Sequence, residues 1–187
     1  MIVIEDYRTS WPAEFAAIGA KVRKALGERA LAIHHIGSTA VPGLAAKDVI
    51  DLQVTVENLD VPIQADLESV GFVRHPTIEQ DHSPPGMTLE ARELEKRLYS
   101  GTERRANLHV RVAGRFNQRY PLLCRDYLRA QPMAANAYAE IKRQLARRFP
   151  EDVASYYAVK DPVFDVIMAG AGVWAESVGW VVPVSDA

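Results

Sequence analysis

The sequence predicts a mixed α/β core over residues 1–115, followed by a helical region over residues 116–187 that packs on it as a second unit or as part of one continuous domain. Short runs rich in β-branched residues and bounded by Gly or Pro alternate with segments of helical spacing through the first part. From Pro121 onward the apolar residues recur at helical spacing. With 187 residues, 48% of them hydrophobic, the chain is long enough to bury a real core.

Each element follows from its residues. Ser10 is a candidate N-cap with Pro12 in the first turn, and Phe15, Ile18, Val22 and Leu26 form an apolar stripe that Gly27 ends. Trp11 is expected to staple this helix to the core. Ala30–Ile36 is a strand, Gly37-Ser38-Thr39 a tight polar turn, and Val49–Val56 a second strand. Period-two alternation places Ile50, Leu52, Val54 and Val56 on the core face, and Asp51, Gln53 and Thr55 on the other. His34 and His35 point to opposite faces, so at most one shares a site with Asp51. Asp60–Val70 reads as a helix with Pro62 near its start and Gly71 as its stop, and Phe72–His75 as a short strand.

Residues 76–95 are polar and Pro-containing, unusually long for a connection in a compact domain, and are expected to form a mobile flap or a substrate-side loop. Glu90, Glu93 and Glu95 are expected on a solvated face. Arg97–Tyr99 and Asn107–Val112 read as a hairpin through Ser100-Gly101-Thr102. Leu108, Val110 and Val112 would face the core, leaving Asn107, His109 and Arg111 on the other side. A sheet that sets this strand beside Val49–Val56 would bring His109 and Arg111 toward Asp51. Helices are predicted over Pro121–Ala130, Pro132–Phe149, Ala154–Lys160 and Pro162–Val178, each proline marking a first turn or its approach. Trp174 and Trp180 are expected to seal hydrophobic contacts.

Bulk properties narrow the function. A net charge of −2 and a pI near 6.2 give no general drive toward nucleic acid or an anionic membrane. The single cysteine, Cys124, rules out an internal disulfide and a multi-cysteine metal site. The opening MIVIEDYR lacks a basic region followed by an apolar one, and no apolar run reaches the length of about 18 residues needed to span a membrane, so a soluble cytoplasmic protein is expected.

The chemistry that the turn suits is phosphate handling. Gly37 lets backbone approach a ligand closely, Ser38 and Thr39 carry hydroxyl donors, and Asp51 is placed to hold a divalent cation bridging phosphate oxygens. Lys47, Arg111, Arg125, Lys142 and Lys160 are candidate phosphate contacts. Lys47 also reads as a surface pair with Asp48, and Arg125, Arg129 and Lys142 as solvated or paired helix residues. The turn lacks a Gly-x-Ser-x-Gly elbow, which argues against Ser38 as a nucleophile.

A Gly-Ser turn followed after twelve residues by an Asp on a strand resembles the signature of the nucleotidyltransferase fold, the polymerase-beta-like superfamily. HIGSTAVPGLAAKDVID is more closely similar to the hallmark of the GrpB family within it. NLHVRV, CRDYLRAQP, YAEIKRQLA and the later Tyr157 and Lys160 extend the likeness over nearly the whole chain. The resemblance implies a nucleotidyltransferase-like mixed sheet with helices and a C-terminal helical region, and kinship with a domain fused to dephospho-CoA kinase.

One departure bears on chemistry. Working nucleotidyltransferases place two carboxylates two residues apart on the second strand and a third on a neighbouring strand, whereas here the second position is Gln53 and the third would be His109. Asp51 and His109 are the catalytic candidates. Asp51, His35 and His109 are the candidate ligands of Mg²⁺ or Mn²⁺, with Zn²⁺ the softer alternative. The expected function is binding of a nucleotide or phosphorylated small molecule with a divalent cation, and transfer of a nucleotidyl group to a small acceptor. The alternatives are an accessory binding module tied to coenzyme A biosynthesis, and a metal-dependent hydrolase using His35, Asp51 and His109.

Overall fold

The computed structural model describes residues 1–187. The sheet has five strands, β1 (Ala32–Ile36), β2 (Ile50–Val56), β3 (Phe72–His75), β4 (Arg97–Gly101) and β5 (Ala106–Val112), in the order β1-β2-β5-β4-β3. Only the β2–β5 pair is parallel; the others are antiparallel. The sheet is therefore mixed, as the family resemblance implies.

Helices α1 (Trp11–Leu26) and α2 (Gln64–Ser69) cover one face. Phe15, Val22 and Leu26 from α1 pack on Ile33, Leu52, Val54, Leu108 and Val110 in one continuous apolar core. Trp11 is fully buried there, and its indole Nε1 donates to Asp48 Oδ1 at 2.8 Å. Ser10 stands at the N-cap position of α1, but its side chain caps no helix amide: its hydroxyl donates to Glu14 Oε1 at 2.7 Å. Helix α2 is shorter than its sequence suggests, because the Asp60 amide donates to Asn58 Oδ1 and Ile63 to the Val61 carbonyl, holding the approach in turns.

The other face carries α3 (Phe116–Ala130), which packs on β1 and β5 and joins α4 (Pro132–Arg148) and α5 (Val153–Val178). Tyr120, Cys124 and Leu128 of α3, Tyr138 and Ala139 of α4, and Ile167 of α5 enclose Val41, Leu44 and Ala45 from the connection between β1 and β2. The helical region thus grips the segment that follows the polar turn. Two proline-based boundaries move. Helix α3 begins five residues before Pro121, because Glu93 Oε2 accepts from the Phe116 amide at 2.8 Å and caps it from a distant segment. Helix α5 runs through Pro162 without a break, packed along α3 and α4.

Residues 76–95 are pinned to the sheet rather than held as a free flap. Gln80 bridges Glu95, the Asp81 amide donates to the Leu94 carbonyl, and the Lys96 amide to that of Glu79. Glu95 pairs with Arg115 at 2.9 Å and Glu93 caps α3, so of the three glutamates expected in solvent only Glu90 is fully surface-bound. Residues 183–187 run along β1: the Asp186 amide donates to the Ile33 carbonyl, and Asp186 Oδ2 accepts from the His35 amide at 2.9 Å. No helix is long and apolar enough to cross a membrane.

Candidate functional site

The connection from β1 to β2 turns sharply at Gly37, whose φ of 72° and ψ of −172° suit glycine. An ideal Cβ there would lie 2.4 Å from Asp51 Oδ2, so the turn backbone sits directly on the Asp51 carboxylate. This contact closes one end of a cavity of about 640 Å³ between the sheet and the helical region. Gly37, Ser38, Thr39, Lys47, Asp51, His109, Arg111, Lys142 and Lys160 all line it, although they come from five separate stretches of sequence.

The β2–β5 register fixes the neighbours on the sheet floor. Asp51 stands opposite Asn107, Gln53 opposite His109, and Thr55 opposite Arg111. The partner of Asp51 is therefore Asn107, whose Nδ2 donates to Asp51 Oδ1 at 2.9 Å. Burial raises the Asp51 pKa, a shift that Asn107, Lys160, Lys47 and Arg111 partly offset. Gln53 does not reach the cavity. It is fully buried, its Nε2 donating to the Gln118 carbonyl and its Oε1 accepting from Arg111, both within 2.9 Å.

Arg111 belongs to a buried ionic cluster. Its Nε and Nη2 donate to the two carboxylate oxygens of Asp81 at 2.8 and 3.0 Å, and Lys96 donates to the same carboxylate at 2.5 Å. The positive charge of Arg111 is thus already shared. His109 Nδ1 accepts from Arg111 Nη2 at 3.3 Å, which leaves the proton on Nε2. Burial and the Arg111 and Lys96 charges hold His109 well below its ordinary pKa, as a neutral ring. With one nitrogen accepting and the other protonated, His109 has no lone pair free for a metal, contrary to the expectation from sequence.

His35 leaves the candidate ligand set for a different reason. The β1–β2 register pairs Ile36 with Asp51 and His35 with Leu52, which turns His35 to the core side. There it stacks on Phe15 with 4.6 Å between centroids, and its Nε2 donates to Thr39 Oγ1 at 3.0 Å. Burial, with Arg129 nearby, lowers its pKa to about 4. Thr39 in turn gives its hydroxyl proton to the Val49 carbonyl at 3.1 Å, so its side chain is spent on the turn and offers no donor to phosphate.

Arg125 is likewise structural. It lies outside the cavity, nearly fully buried, bridging the His35 carbonyl, Asp126 and Asp186 at 2.8 to 2.9 Å. Arg125→Met is expected to lower stability by roughly 2 kcal/mol, since Asp186 keeps only the His35 amide and Asp126 only Trp180 and the more distant Arg129, while leaving affinity for anions in the cavity unchanged. Denaturant unfolding together with ligand titration checks both halves.

The lysines converge on the turn. Lys142 is almost fully buried and donates to Ser38 Oγ at 2.9 Å and to the Ala45 carbonyl at 2.5 Å. Ser38 accepts that bond, so its own proton is left for Tyr138 or for a ligand. Burial, followed by repulsion from Lys160, Arg143 and Lys47, pushes the Lys142 pKa down to about 7. Lys47 donates to the Tyr157 hydroxyl and lies 4.4 Å from the centre of that ring, while Lys160 is paired with Asp161 at 3.0 Å. Neither Lys47 nor Lys142 has an acidic partner within salt-bridge distance. Across the cavity, Phe116, Tyr120 and Phe164 form an apolar wall with ring centroids 5.5 to 5.7 Å apart. Asn107, Asp81 and this wall were not recognised as site elements from sequence. Alternation already put Asn107 on the right face, whereas the aromatic residues gave no signal beyond helical spacing.

A divalent cation does not fit the donors that are present. No group of three or more His, Cys, Asp or Glu side chains is arranged to hold one. Asp51 is the only anionic group at its position on the sheet, with Gln53 and His109 both engaged elsewhere. The His35, Asp51 and His109 arrangement required by the hydrolase alternative is not formed.

Comparison with known proteins agrees with the fold. The chain is 36% identical over 186 residues to a dephospho-CoA kinase from Mycolicibacterium paratuberculosis, covering 91% of this chain and 46% of that protein. It spans about half the length of that relative. Its structure is similar to the crystal structure of the conserved protein GrpB from Enterococcus faecalis, with a TM-score of 0.76 and 27% identity over 92% of this chain and 99% of that one. A likeness of fold alone reaches the Cid1 poly(U) polymerase in a MgATP-bound form, with a TM-score of 0.51 and 16% identity over 84% of this chain and 50% of that one. The family model described as GrpB protein matches residues 1–169, and with the HIGST turn, the mixed sheet and the helical region all in place, this chain belongs to the GrpB family.

Proposed function

We propose that this chain binds a nucleotide or another phosphorylated metabolite in the cavity between sheet and helices. Ser38, Lys47, Lys142 and Lys160 would hold phosphate oxygens, and Phe116, Tyr120 and Phe164 would take the apolar or heterocyclic part of the ligand. One observation carries the reading: Lys142 is buried against Ser38 without an acidic partner, in a cavity lined by six Lys and Arg side chains and three Asp. Gathering like charges in a partly dry site is unfavourable unless an anion joins them. The name of the dephospho-CoA kinase relative puts coenzyme A and its precursors in the ligand panel beside nucleotides.

Titration with ATP and dephospho-CoA as pH is varied tests this. A bound anion stabilises protonated Lys142, so its pKa rises in the complex, and affinity is expected to fall as pH rises above about 7. The slope should approach tenfold per pH unit until the bound-state pKa is reached. Lys142→Met should weaken binding by about tenfold or more near neutral pH and flatten the profile. A profile as steep in Lys142→Met as in the wild type would remove Lys142 from the site.

A second reading, nucleotidyl transfer to a small acceptor, is favoured by the Asp51 carboxylate lying against the Gly37 turn. Turnover of a labelled nucleoside triphosphate distinguishes it from binding alone.

A further inference from the structure

We propose that the cavity takes its polyphosphate ligand free of metal, with the ammonium groups of Lys142, Lys47 and Lys160 supplying the positive charge that a divalent cation supplies elsewhere in this fold. The inference rests on the phosphate reading of the cavity and specifies the ionic form of the ligand.

Three observations support it. The donor set is poor in anions: Asp51 faces Asn107 rather than a second carboxylate, and the two neighbouring positions on the sheet floor are committed to Arg111 and Gln118. Asp51 is itself half enclosed by the turn, because the Gly37 backbone lies against Oδ2 and Asn107 occupies Oδ1. A cation entering here would meet the ammonium groups of Lys142 and Lys47, while Asp81 is already paired with Lys96 and Arg111 and Asp161 with Lys160. Lys142 is held rigidly by two hydrogen bonds, and Lys47 by Tyr157, so these charges are pre-placed for phosphate oxygens without further ordering. The Lys160 and Lys47 charges lower the cost of the buried Asp51 carboxylate, although neither lysine is paired with it.

The consequence is a reversed metal dependence. Mg²⁺ lowers the charge of a polyphosphate and must share the cavity with three ammonium groups, so it competes with the protein for the ligand. The test is a calorimetric titration of the full chain with ATP and with inorganic tripolyphosphate, in EDTA or in excess Mg²⁺ at matched ionic strength. Both probes are expected to bind in EDTA, with Mg²⁺ weakening the apparent affinity about tenfold. Equal or tighter binding with Mg²⁺ overturns the inference and leaves the phosphate reading standing. No binding of either probe in either condition retires both. Asp51→Asn separates the two effects that this carboxylate can have: as a negative charge near bound phosphates its loss leaves metal-free affinity equal or stronger, and as a metal ligand its loss weakens binding. A folded Asp51→Asn protein that loses affinity in the presence of Mg²⁺ alone also overturns the inference.

Discussion

Gly37→Ala is expected to cost at least about 3 kcal/mol of stability and to abolish anion binding. The residue sits in a φ/ψ region that essentially only glycine occupies, which costs other residues of order 1–3 kcal/mol. To this is added a Cβ that would come within 2.4 Å of Asp51 Oδ2, so either the turn or the carboxylate must move. Both responses displace Ser38 from Lys142. Gly43 provides the control: its φ of 79° is also positive, but nothing lies within 4 Å of a Cβ built there. Gly43→Ala should therefore lose only about 1 kcal/mol, the cost of the backbone conformation. Comparable losses in the two variants, by denaturant unfolding, would show that the Gly37–Asp51 contact relaxes without consequence.

Asp81→Ala is expected to destabilise the fold by about 3 kcal/mol, or roughly 6–12 °C in Tm for a chain of this size. Asp81 is the only acid paired with Lys96 and Arg111, whose side chains are 8% and 6% exposed, and its loss strands two buried cations. It also removes the side-chain tie between residues 76–95 and β5. Burial works against the charged carboxylate, but Arg111 and Lys96 outweigh it and hold the Asp81 pKa far below the usual carboxylate range. The sign follows from that depression. The unfolded chain binds the proton more readily, so the stabilisation is fully present above about pH 4 and is lost as pH falls toward the folded-state value. Asp81→Asn should therefore show a shallower loss of stability between about pH 4 and pH 2 than the wild type. Identical acid slopes would mean that Asp81 is not charged in the folded protein.

Much of the framework is a local property of the chain. Period-two alternation assigned Asp51, Gln53 and Thr55 to one face of β2, and Asn107, His109 and Arg111 to one face of β5, because adjacent strand residues point in opposite directions whatever the partner strand. The HIGSTAVPGLAAKDVID stretch pointed to the family and the fold through a turn whose glycine the backbone requires. Tertiary structure alone decided which of those residues meet. Register between strands depends on nonlocal pairing: a shift of one residue between β1 and β2 would exchange faces and bring His35 from Phe15 to the side of Asp51, and a shift of two between β2 and β5 would set His109 rather than Asn107 opposite the carboxylate. The start of α3 was hidden for the same reason, since its cap comes from Glu93, 23 residues away. So was the setting of Lys142, which bonds Ser38 across 104 residues of chain. In the sequence Lys142 reads as a helix lysine, solvated or paired, and only packing of α4 against the turn removes water from that ammonium and pushes its pKa toward neutrality.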